Sequence, residues 1–73
     1  MRRYRTLHHW QTAHNAARMF QNTIADLGVG AHPGRVLMYR KDLDHWTAER
    51  DRLYALLTPA DKATADRIKE TSP

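Results

Sequence analysis

The sequence predicts an all-α protein: a long antiparallel helical hairpin followed by a short third helix. Three observations carry this. Apolar residues recur at helical spacing over two stretches, the three glycines and one of three prolines fall in one window between them, and a capped helix start follows the second stretch.

In the first stretch Trp10, Ala13, Ala17, Phe20, Ile24 and Leu27 alternate steps of three and four, which aligns them on one stripe of an amphipathic helix over about 6–27. Gly28 follows the last of them and can close the helix in the left-handed conformation without a Cβ clash. Thr6 is the nearest capping residue, which leaves residues 1–5, with Arg2, Arg3 and Arg5, as a basic lead-in. Residues 28–35 read as a Gly/Pro turn. Beyond it Val36, Tyr39, Leu43, Trp46, Arg50, Leu53 and Leu57 repeat the three-four spacing and predict a second helix over about 36–57. The pattern leaves residues 35–39 open between helix and extended chain. Thr58-Pro59-Ala60-Asp61 announces the third helix, about 59–70, with Thr58 as the cap, Pro59 at the first position and Asp61 facing the positive helix end. Residues 71–73 should fray.

The chain has 73 residues and no cysteine, so it is read as a single small domain, 1–73, without disulfide or thiolate-metal staples. Two helices of about 32 Å stretch such a molecule into a rod and leave apolar faces half covered. A C2 dimer that turns two hairpins into a four-helix bundle would cover them. Apolar runs such as Val36–Tyr39 are far short of the roughly 18 residues of a membrane span, so a cytoplasmic protein without membrane contact is the expectation.

Twelve Lys+Arg against eight Asp+Glu give a net charge of +4, but residues 1–41 carry +6 and residues 42–73 carry −2. From Thr6 to Ala25 the only formal charge is Arg18. His8, Gln11, Asn15, Arg18 and Asn22 lie on one face opposite the apolar stripe, with His14, Thr12 and Gln21 beside it. Interface cores are depleted of charge, so this face is the candidate partner-binding surface, for a second copy or another protein. The alternative is DNA or RNA. Asn, Gln and Arg also read bases, and Arg2, Arg3, Arg5, Arg18, Arg35, Arg40 and Lys41 could hold phosphates. A compact regulator or inhibitor of a bacterial or phage mobile element suits the size and composition.

Other chemistry finds little support. His8, His9 and His14 point around the helix, and although Asp42, His45 and Glu49 share a face they flank the apolar seam, so neither metal nor other cofactor is expected. With no cysteine, one serine at the penultimate position and little room for a dry pocket, an enzyme is not expected. Leu37 and Met38 lie off the stripe, as a lid over the turn or an exposed contact patch, and Arg50 on the seam should snorkel to solvent.

Tyr39-Arg40-Lys41-Asp42-Leu43-Asp44-His45-Trp46 resembles the segment after the wing in excisionase-type and MerR-like winged-helix DNA binders. That likeness implies an upstream helix-turn-helix. Only twelve residues separate Val29 from Asp42, too few for a recognition helix and a wing, so the resemblance is confined to these eight residues.

Overall fold

A computed structural model describes residues 2–28, 30 and 32–71. It contains three helices, α1 (Arg2–Leu27), α2 (Pro33–Ala55) and α3 (Pro59–Thr71). The all-α hairpin with a short third helix is the observed architecture.

Helix α1 starts four residues before Thr6, so the expected lead-in is helical from Arg2 onward. Nothing in residues 2–9 breaks a helix, and extending a formed helix costs far less than nucleating one. At the other end Gly28 adopts φ +66°, the left-handed conformation that closes the helix.

The turn is shorter than the expected 28–35. Pro33 opens α2, because its fixed φ and missing N–H suit the first helical position. His32 is the cap: its Nδ1 accepts the Gly34 N–H at 3.1 Å, and its carbonyl accepts the Arg35 and Val36 N–H groups at 3.0 and 3.2 Å. Residues 35–39 are therefore helical, and no wing interrupts the Tyr39–Trp46 segment. Helix α2 ends at Ala55, two residues before the expected limit, where the Leu56 and Leu57 N–H groups bond to the Leu53 and Tyr54 carbonyls.

Helix α3 begins as anticipated. The Asp61 N–H donates to Thr58 Oγ1 at 3.2 Å and the Lys62 N–H to the Thr58 carbonyl at 2.8 Å. Thr71, expected in the frayed tail, is helical and its hydroxyl donates to the Arg67 carbonyl at 3.1 Å; the other tail residues, 72 and 73, lie outside the described residues.

Phe20 meets Tyr39 at 6.2 Å near the turn, and Trp10 packs with Leu53 at the far end, so α1 and α2 run antiparallel. The molecule measures 44 × 21 × 15 Å with a radius of gyration of 14.0 Å, against about 11 Å for a compact chain of this length. Helix α3 packs only at the open end of the hairpin. There Trp10, Ala13, Leu53, Leu57 and Ala65 form the buried core, with Leu7, Trp46, Tyr54 and Ile68 against it. Toward the turn only two helices meet, and Phe20, Ile24, Leu27, Val36, Tyr39 and Leu43 are partly buried, none of them fully.

Candidate functional site

Helix α1 presents two different surfaces beside its core stripe. The outer one is the face expected from the sequence: His8, Gln11, Asn15 and Asn22 are exposed and Arg18 is half-buried. Their three-four spacing keeps them in one line, away from α2.

His14 departs from the expectation. It is 4% exposed and stacks flat on Trp10, ring centroids 5.0 Å apart and planes 6° from parallel. The i,i+4 relation to Trp10 brings the two rings together on one side of α1. Burial lowers its pKa from the ordinary histidine value, and the nearby positive charges of Arg50, Arg18 and Lys69 lower it further. The Arg50 side chain is three-quarters covered, with Nε 3.7 Å from an Asp51 carboxylate oxygen.

The second surface was not anticipated. On the side of the hairpin away from α3, the two long helices form an open groove of about 250 Å³. Its apolar lining is Ala13, Trp46 and Leu53; His9, Thr12, Glu49 and Arg52 complete it. Helix α3 lies on the other side, where the Tyr54 hydroxyl bonds to Asp66 at 3.0 Å and Lys62 and Lys69 stand 5.6 and 5.2 Å from the Tyr54 ring centre. Glu49 and Arg52 are neighbours on one helical turn and pair with each other. The hydrogen bond from Arg52 lowers the Glu49 pKa, and the same bond raises that of Arg52.

The groove face continues toward the turn. Thr12, Ala16, Met19 and Thr23 succeed one another at helical spacing on α1, as do Glu49, His45, Asp42 and Met38 on α2. Met19 and Met38 are 55% and 65% exposed. Leu37, 60% exposed, points away from the α1–α2 seam by its helical position and forms no lid over the turn. Sequence reasoning found the stripe but could not tell which flank α3 would cover. The one available signal was that Thr12, Ala16, Met19 and Thr23 form an uncharged border beside the stripe.

Among the described residues, the α2 cations of the alternative reading are spread around their helix. Arg5, Arg35, Arg40 and Lys41 are exposed, but helical geometry sets the last three around α2, interleaved with Asp42 and Asp44. The side chains of Arg2 and Arg3 lie outside the described residues. Among the described residues there is no group of three or more His, Cys, Asp or Glu side chains placed to hold a metal ion, and no helix is long and apolar enough to cross a membrane. No protein-family model matches the chain, and no curated protein or solved structure matches it significantly.

Proposed function

We propose that this chain is a non-enzymatic helical interaction module that acts by protein–protein contact through α1, with a second copy or with another protein. The observation that carries the reading is the scarcity of charge along α1. Over Thr6–Ala25 Arg18 is the only formal charge, although His8, Gln11, Asn15 and Asn22 stand in solvent, where charged side chains are the ordinary choice. Neutral amides and imidazoles lose less on desolvation than charges do, so such a helix can be covered by a partner at low cost. The shape supports this: a rod with a small core at one end has apolar surface left to cover.

The rival reading is nucleic-acid binding through the excess of +6 over residues 1–41. Phosphate neutralisation releases counterions, so it has a distinctive salt dependence. Fluorescence anisotropy of a labelled duplex at about 50 mM salt separates the two. The interaction-module reading expects no retention; retention that falls log-linearly and steeply with added salt overturns it in favour of nucleic acid.

A further inference from the structure

We infer that the groove face of the hairpin is the seat of a second copy of this chain, with α1 against α1 about a two-fold axis. The inference rests on the interaction-module reading and specifies one partner and the surface it uses. It places that partner on the flank Thr12, Ala16, Met19, Thr23, not on the outer face of His8, Gln11, Asn15, Arg18 and Asn22.

Surface area argues first for a missing partner of defined size. The chain exposes 5574 Å². A folded monomer of 8.5 kDa exposes about 4,650 Å², so the excess is about 900 Å². A standard protein–protein interface covers about 800 Å² on each side. One contact of ordinary size therefore brings this chain to the exposure of a self-sufficient fold.

The place follows from what is left open. Helix α3, about 20 Å long against about 39 Å for α1, covers one side of the two-helix layer at its open end. The other side carries the groove floored by Ala13, Trp46 and Leu53 and, further along, exposed Met19 and Met38. Methionine is a frequent residue of adaptable docking surfaces.

Charge then selects the occupant. The α1 flank has no formal charge between Arg5 and Asp26. The α2 flank carries Asp42 and the mutually paired Glu49 and Arg52. A two-fold axis through the α1 flank sets an uncharged strip against itself, leaves the charged α2 flanks at the rim, and places no like charges face to face at the centre. A strongly charged partner would find no complementary group on that strip. The product is a four-helix layer with an α3 on each outer side.

Sedimentation equilibrium of the full chain tests this with two variants at exposed positions, Thr12→Glu with Met19→Glu on the groove flank, and Gln11→Glu with Asn15→Glu and Asn22→Glu on the outer face. Circular dichroism of each checks helicity. The expected result is a wild-type dimer, an outer-face variant that stays dimeric, and a groove-flank variant whose dimer is at least about 100-fold weaker, because four carboxylates then share one interface. Since the chain has no cysteine, single replacements Thr12→Cys, Ala16→Cys and Met19→Cys give an independent readout, with disulfide-linked dimer expected from at least one and not from Asn15→Cys or Asn22→Cys. A wild-type monomer, or cross-linking confined to Asn15→Cys and Asn22→Cys, overturns the inference. Dimers dispersed only by the outer-face variant overturn it too but leave the interaction-module reading standing, and duplex DNA retention defeats that reading by itself.

Discussion

Replacing Trp10 with alanine should bring the chain close to unfolding at room temperature. Trp10 is fully buried, packs with Ala13, Leu53, Leu57 and Ala65, and stacks on His14. It is the only large side chain among the described residues buried to this degree. Removing a buried tryptophan costs about 3–5 kcal/mol, because transfer free energy is lost and the surrounding helices cannot fully collapse on the cavity. At about 0.05–0.15 kcal/mol per residue, 73 residues carry a total stability of about 4–11 kcal/mol. The substitution therefore removes about a quarter of the stability at best and all of it at worst. For a domain of this size the midpoint temperature should fall by about 12–40 °C. Urea and thermal unfolding followed by circular dichroism, at one fixed protein concentration, measure both. Trp10→Phe separates volume from polarity. The Trp10 Nε1–H is buried with no hydrogen-bond partner among the described residues, a condition that costs about 1–3 kcal/mol. Phenylalanine keeps an aromatic ring and discards that donor, so it should lie within about 1 kcal/mol of the wild type. A loss below about 1 kcal/mol for Trp10→Ala, or a Phe variant as damaged as the Ala variant, would refute the assignment of the core to this residue.

Four further outcomes follow from local structure. Burial and its cationic neighbours hold the folded pKa of His14 below the ordinary 6.5, so between those two values the unfolded chain binds the extra proton; stability should fall as pH drops through that window and flatten above it, and urea midpoints of wild type and His14→Gln should converge in slope if another group is responsible. Gly28→Ala forces a Cβ into φ +66° with no neighbour within 4 Å, so the cost is conformational alone, about 1–2 kcal/mol in thermal unfolding, and a neutral result would mean that the turn adopts another conformation. Thr58→Ala removes the acceptor of the Asp61 N–H and should cost about 0.5–2 kcal/mol, with Thr58→Ser near wild type; equal losses for the two would exclude a capping role. The hydrogen bond to Asp66 raises the Tyr54 pKa above its usual value, so Asp66→Asn should bring the phenol's transition to lower pH in an ultraviolet titration, and no movement would show that the bond is not formed.

The three helices were legible because burial follows the three-four stripes: Trp10, Ala13, Ala17, Leu53 and Leu57 are the buried members of the anticipated series. Boundaries were less so. Thr58-Pro59 was read correctly as cap and first turn, yet His32-Pro33 carries the same arrangement and went unread, since a histidine ring nitrogen is not among the usual capping acceptors. The early start of α1 was hidden because arginines neither stop a helix nor mark its start. The outer face of α1 was legible from spacing alone. The groove was not, because periodicity gives each helix a buried direction but not the flank on which a third helix settles. His14 shows the same limit: it borders the stripe in sequence, and only the packed structure shows it to be buried.

The position of the core also bears on how the chain folds. The contacts that bury most surface join Trp10 to Leu53 and Ala65, about 43 and 55 positions away in sequence. Residues close to the turn can meet early, since a short loop closes at small entropic cost, but they bury little when they do. Zipping the hairpin from Gly28 outward thus brings a modest gain in free energy until its last turns, where α3 must dock as well. Folding speed should therefore respond to substitutions at Trp10, Leu53 and Ala65 more than to changes at the turn, and partially zipped hairpins should reopen rather than accumulate.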